Sequence, residues 1–261
     1  MAAFALTEAE GGAEDHAVVT RAVRDGGEYV IDGEKAYVTN AAVADVFVVI
    51  ARTSDDALSA FLVPGDAVGL ARSDRLPLMG HRGSALTMLH LYDCRVGAEA
   101  LLGAFGAGRT VAARSLVYAR LAAAAGAVGI AQRCLDISLA HARSRVVGGR
   151  AIIKNQEISF KLAQMRTFID TSRLLTQLAA WSIGENAADA EINVACAKVH
   201  ATESAARIAD LAVQIFGARG YTQGGEAERL FRDARLGPLL HGPSEIHRMR
   251  LARDILEKVS R

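Results

Sequence analysis

The sequence predicts an α+β protein of two domains. An antiparallel β-barrel or sandwich fills residues 1–105, and an up-and-down four-helix bundle fills 106–261. Three observations predict it. Short β-branched and aromatic runs punctuated by Gly and Asp occupy the first part. From about residue 109 apolar residues recur at helical intervals instead. No proline interrupts residues 78–237, so long helices can run there.

The strand candidates come in order. Tyr29-Val30-Ile31, Ala36-Tyr37-Val38-Thr39, Val46-Phe47-Val48-Val49-Ile50 and Ala60-Phe61-Leu62-Val63 are separated by turn residues such as Asp25-Gly26-Gly27 and Asp32-Gly33. Thr87-Met88-Leu89-His90-Leu91 and the stretch near Val96 complete about five or six strands with no helix between them, which favours a barrel or sandwich over a Rossmann sheet. Val111, Leu116, Ala119, Ala123, Val128, Ile130, Cys134, Leu135, Ile137 and Leu139 place a long helix over 110–143. Similar patterns place helices over 152–184 and 189–217, and Ser244 opens a last one through Ile255. Short connections between such helices make an up-and-down bundle. The small side chains Ala122 to Ala125 allow close helix packing.

Composition excludes several functions. A chain of 261 residues that is 51% hydrophobic buries ample core, and a formal net charge of +1 with scattered Lys and Arg argues against a nucleic-acid or strongly basic membrane face. The opening Met1-Ala2-Ala3-Phe4-Ala5-Leu6-Thr7-Glu8 has no basic region followed by an apolar one, so the expected compartment is the cytoplasm. No stretch reaches the ~18 uninterrupted apolar residues of a membrane span. Cys94, Cys134 and Cys196 are odd in number and widely spaced, and the seven histidines show no HExxH, so neither a disulfide framework nor a metal is expected. Gly103-Ala104-Phe105-Gly106-Ala107-Gly108-Arg109-Thr110 imitates a P-loop, but Arg109 stands where the lysine belongs, so it reads as an interdomain hinge.

A series of matches in order carries a resemblance. Thr7-Glu8 with Gly12, Asp32-Gly33-Glu34-Lys35-Ala36-Tyr37-Val38-Thr39-Asn40, Ala51-Arg52-Thr53 and Met79-Gly80-His81-Arg82-Gly83-Ser84 come first. Then follow Ala125-Gly126-Ala127-Val128-Gly129-Ile130-Ala131-Gln132, Arg145 with Gly149 and Gln156, Ala212 through Tyr221, and Arg232-Asp233-Ala234. Together these resemble the middle and C-terminal domains of the acyl-CoA dehydrogenase family over the whole chain. Such proteins ordinarily begin with a further helical domain. A second polypeptide that supplies it, a fragment, or a remodelled pocket are the three alternatives.

The resemblance implies FAD, an acyl thioester substrate, loss of an α-proton to a base, and hydride transfer from Cβ to the flavin. It implies flavin contacts at Thr7, Tyr37 and Thr39, with Tyr37 in place of a frequent tryptophan. It implies a grip on the FAD diphosphate and adenosine by Arg145 and Gln214, with Gly217 in the same stretch, across the interface of a homodimer or homotetramer. Gly148 stands where a phenylalanine often follows that arginine. Arg120 matches an arginine near the substrate.

Read without the resemblance, Thr39 is a strand-end hydroxyl, Tyr37 a core aromatic, Arg145 a solvated charge and Arg120 an ordinary ion-pair partner.

The departures bear on function. His241 occupies the slot that usually holds the catalytic glutamate, and Ala119 the alternative one. Pro243 replaces a threonine, and Ala13-Glu14 a Ser-Asp pair. The leading expectation is an FAD-dependent dehydrogenase of an acyl thioester, CoA- or carrier-bound, with His241 as base and an electron-transfer partner or oxygen as acceptor. A flavin monooxygenase is the second. The third is a non-catalytic, FAD-sharing subunit whose partner brings the helical domain.

Overall fold

A computed structural model describes residues 1–11 and 18–259. Gly12, Ala13 and Glu14, singled out above, lie outside the described residues. The chain forms two compact units, one of residues 1–78 and 82–116 and the other of 79–81 and 117–261. Residues 106–116 thus group with the strands. Gly106 N–H donates to Ser59 Oγ at 3.0 Å, and a Cβ on Gly108 would lie 2.7 Å from the backbone of Leu58. The glycines of the P-loop look-alike are therefore a tight seam against a strand.

The first unit is one curled sheet: β1 (Ala2–Ala5), β2 (Arg21–Asp25), β3 (Glu28–Val38), β4 (Val46–Arg52), β5 (Leu58–Pro64), β6 (Leu70–Arg72) and β7 (Thr87–Gly97). The order is β1-β4-β2-β3-β7-β6, with β5 antiparallel along the whole length of β4 on its other edge. Most pairings are antiparallel, but β1 and β2 run parallel to β4. Two pairs of short expected strands are continuous. β3 runs through Gly33, where φ is 147 and any Cβ would lie 2.6 Å from Thr20 Oγ1, and β7 includes Val96. The inner face buries Ile31, Phe47, Val49, Phe61, Leu89 and Leu91, and Tyr29 meets Phe61 at 4.9 Å between ring centroids. Each such side chain contributes about 1.5–3 kcal/mol of burial.

The second unit holds α1 (Gly108–Ser144) from Val117 on, a small hairpin of β8 (Val146–Val147) and β9 (Arg150–Ala151), α2 (Gln156–Gly184), α3 (Ala190–Phe216), α4 (Ala218–Tyr221), α5 (Glu226–Ala234) and α6 (Ser244–Val259). The four long helices begin and end within a few residues of the periodic patterns. The bundle core is alanine-rich, with Ala124, Ala127, Ala131, Ala197, Ala201, Ala205 and Ala209 against Met165, Ile169 and Ile208. α1 is long and apolar enough, by length and composition, to cross a membrane. One of its faces lies in this core.

Candidate active site

His241 lies in the segment 235–243 between α5 and α6, which is neither helix nor strand. Its backbone is left-handed at φ 54 and is followed by Gly242 at φ 95. A non-glycine residue held there costs on the order of 1–3 kcal/mol, so its surroundings must impose it. They do so through carbonyls. Ser244 N–H closes the loop onto Pro238 O at 3.0 Å. Lys198 Nζ, from α3, donates to Pro238 O at 3.1 Å and Gly242 O at 2.8 Å. Arg120 Nε, from α1, donates to His241 O at 3.0 Å.

Burial first, then the charges of Arg120 and Lys198, pushes the His241 imidazole from 6.5 down to about 4. The ring is therefore neutral at pH 7. Its proton affinity falls close to that of a solvated glutamate, near ~4.3. His247, on the first turns of α6, is fully buried, with its ring against the His241 backbone. Burial, then Arg120 and Lys198, lowers it to about 4 as well.

In the strand unit the first group of expected contacts is held by a buried ion pair. Lys35 Nζ meets Glu8 Oε1 at 2.6 Å and Leu6 O at 3.1 Å, and Glu8 also accepts from Val19 N at 2.8 Å and Thr20 N at 3.0 Å. Burial pushes the Glu8 carboxyl up, but the bonds from Lys35 and Thr20 outweigh it and hold the group below its usual range. Thr7 lies between these anchors, and its carbonyl accepts from Ala36 N at 2.7 Å. Tyr37 sits on a bulge where the register with β7 shifts between Lys35 and Val38, with φ 55. Its side chain is 64% exposed, so it is not the core aromatic that the sequence alone suggested. Thr39, just beyond β3, is exposed too. One end of β3 thus offers a strained, outward-facing ring with two threonines near it in the chain fold. That donor set fits a flat heteroaromatic group such as the flavin of FAD.

Arg145, Gln214 and Gly217 share one end of the bundle. His141 of α1 stacks on Phe216 of α3 at 4.2 Å and 14°. Arg145 N–H donates to His141 O at 2.8 Å, while Gln214 lies exposed on the last turn of α3. Gly217 ends that helix at φ 61, its N–H donating to Val213 O at 3.0 Å. Burial, then Arg219 and Arg145, lowers the His141 imidazole. Two guanidinium groups near one helix end suit an anion such as a diphosphate.

Sequence reasoning missed Lys198 and the Glu8–Lys35 pair as site-building residues. A signal existed for Lys198: it sits on the face of α3 that buries Val194, Ala197, Ala201 and Ala205, where a charge has no solvent.

The middle-domain model of the acyl-CoA dehydrogenases matches residues 3–94, and their C-terminal-domain model matches 106–256. The chain is 38% identical over 260 residues to cyclohex-1-ene-1-carbonyl-CoA dehydrogenase of Geobacter metallireducens, which covers 98% of this chain and 68% of that protein. Butyryl-CoA dehydrogenase from Megasphaera elsdenii superposes with TM-score 0.95 at 32% identity, over 98% of this chain and 68% of that one. A prolyl acyl carrier protein oxidase does so with TM-score 0.93 at 32% identity and the same coverage. The chain belongs to the acyl-CoA dehydrogenase family, a family of FAD-dependent oxidoreductases. It spans about two thirds of the length of these relatives.

Proposed function

We propose that this chain dehydrogenates an acyl thioester between Cα and Cβ, on CoA or on a carrier protein, with His241 as the base. The observation that carries this reading is the loop geometry. A neutral imidazole with a carboxylate-like proton affinity stands in the slot where the family's glutamate usually lies, on a backbone held by three hydrogen bonds from two cationic side chains. A ring nitrogen of His241 takes the α-proton. Burial first, and then Arg120 and Lys198, keep the ring from collecting a proton from solvent beforehand, since each disfavours the imidazolium.

Bound FAD would supply the two-electron acceptor for the β-hydrogen. Thr7, Tyr37 and Thr39 would hold its ring, and Arg145 with Gln214 and Gly217 its diphosphate and adenosine portion. Electrons would leave to an electron-transfer partner or to oxygen. We place the assembly as a homodimer or homotetramer, and Phe160, Leu174, Leu178 and Trp181 support this as large exposed apolar side chains of α2.

The test is anaerobic mixing of FAD-loaded protein with short acyl-CoA thioesters and acyl-pantetheine, following the flavin colour. Bleaching in the parent and none in His241→Ala, with FAD still bound, is the expected result. Equal bleaching in both removes His241 from the chemistry.

One observation favours a second reading, a flavin monooxygenase. Neither His241 nor Ala119 offers a carboxylate. NAD(P)H-driven oxygen uptake without thioester-driven bleaching would establish it. Protein that refuses FAD altogether would be a subunit that depends on a partner.

A further inference from the structure

We infer that Lys198 is a positioning residue for His241, acting on the backbone of the 238–243 loop together with Arg120. This rests on His241 being the base.

The loop approaches α3 closely. A Cβ on Gly237 would lie 2.9 Å from Thr202 Cβ, so the backbone at 237 rests directly on that helix. One turn before Thr202, the fully buried Lys198 reaches two carbonyls that flank His241, Pro238 O and Gly242 O. From α1, Arg120 takes the carbonyl between them. Two helices therefore grip three carbonyls of one short loop, and the grip spans the two consecutive left-handed residues, His241 and Gly242. Freed of it, the histidine backbone would relax to an ordinary conformation and carry the ring elsewhere.

The charge pattern argues for more than packing. A buried ammonium is costly unless paired with a carboxylate, and an apolar chain of similar length would fill the same space more cheaply. The carboxylates nearest this cluster are engaged by other residues: Glu203 with Arg248 at 2.7 Å and Glu191 with Arg250 at 2.8 Å. Glu245 is exposed at the start of α6. Around His241 the charged or titratable neighbours are thus Arg120 from α1, Lys198, Glu191 and Glu203 from α3, and Glu245, His247 and Arg250 from α6. What the ammonium gains is two aligned carbonyls, and what those carbonyls fix is the base.

The experiment compares FAD-loaded parent, Lys198→Met and Lys198→Arg. Histidine-labelled protein gives the His241 ring signal by NMR, assigned by its loss in His241→Ala. In Lys198→Met the His241 titration should move up in pH. The anaerobic flavin-reduction rate should fall about 10- to 100-fold, as for an ångström-scale displacement of a catalytic group, with thioester affinity and bound FAD unchanged. Lys198→Arg, which keeps a cation and donors, should recover most of the rate.

A parent-like titration and rate in Lys198→Met would overturn the inference. Should that variant not fold, Lys198→Gln keeps one donor and carries the same two readouts. If His241→Ala leaves flavin reduction intact, the proposed chemistry fails on its own account. The His241 ring signal compared between Lys198→Gln and Lys198→Met, both uncharged at 198 and differing only in the donors they offer the loop, still decides the positioning claim without thioester.

Discussion

At the scale of single residues, replacing a carboxylate by an imidazole changes the charge that proton uptake leaves behind. A glutamate becomes neutral when it accepts a proton, whereas His241 becomes a cation beside Arg120 and Lys198. Burial and those two charges hold its pKa at about 4, and the consequence is a pH profile. If His241 is the base, as proposed, it must be neutral to accept the α-proton, so the flavin-reduction rate should stay level from about pH 8 down to about 5 and fall only as pH passes through about 4. A solvated histidine would lose activity near ~6.5 instead. Rapid-mixing kinetics across pH 4–8 separate the two, and an inflection near ~6.5 rejects the buried, cation-flanked imidazole. His241→Glu restores the usual charge type and should retain flavin reduction, while His241→Ala should lose at least about 100-fold, the scale on which a positioned base contributes.

At the scale of elements, the buried polar contacts are what hold site-bearing segments in place. Lys35 is fully buried on β3, and its partner Glu8 fixes the segment that carries Thr7. Lys35→Met would leave the Glu8 carboxylate buried with only two backbone donors, and removing one partner of such a pair costs about 3–5 kcal/mol. Urea denaturation should show that loss, together with weaker FAD binding. A stability within about 1 kcal/mol of the parent would mean that water already screens the pair. The 238–247 region should give an acid signature. His241 and His247 have folded pKa values pushed below 6.5 to about 4, so the unfolded chain binds more protons between those values. Their stability contribution is fully present above about pH 6.5 and is lost as pH falls toward 4. Each ring accounts for up to about 3 kcal/mol at ~1.36 kcal/mol per unit. Denaturation of parent and His247→Leu at pH 7 and pH 4.5 isolates the His247 share, since the carboxylates that also titrate in this range, Glu8 among them, are common to both.

The same contacts explain how far the sequence could be read. The three longest helices were legible because 27 to 37 residues of periodic Ala, Leu, Ile and Val leave little choice. β1, β2 and β6 were not, since Ala2–Ala5 and Leu70–Arg72 are too short to show alternation, and the parallel pairing of β1 with β4 is set by distant partners. α5 escaped because its polar residues dominate its few buried ones, Ala227, Leu230 and Ala234. Of the candidate site, the motif residues were legible by spacing. Lys198, Arg120 and His241 come together only when α1, α3 and the 238–243 loop are packed, across more than a hundred residues of sequence.

At the scale of the whole molecule, α2 carries the exposed apolar face that supports the proposed homo-oligomer. Leu174, Leu178 and Trp181 recur at helical spacing and are 65%, 43% and 61% exposed, with Phe160 on the same helix at 60%. Aromatic and large aliphatic side chains grouped on one face are depleted from ordinary solvated surface and enriched at the cores of subunit interfaces. Trp181 is the only tryptophan in the chain, which makes the interface directly observable. In the assembled protein its emission should be blue-shifted and resist acrylamide quenching. On dilution it should move to the red in step with the fall in mass seen by sedimentation. Leu178→Glu, which places a charge inside the contact, should give the red emission and the single-chain mass at every concentration. If Arg145 and Gln214 grip FAD across the interface, this variant should also lose FAD, although it alters no residue of the flavin site. Retained FAD in a monomeric Leu178→Glu would show that each chain completes its own cofactor site. An oligomer in which Trp181 stays quenchable would place the subunit contact on a different face of the bundle.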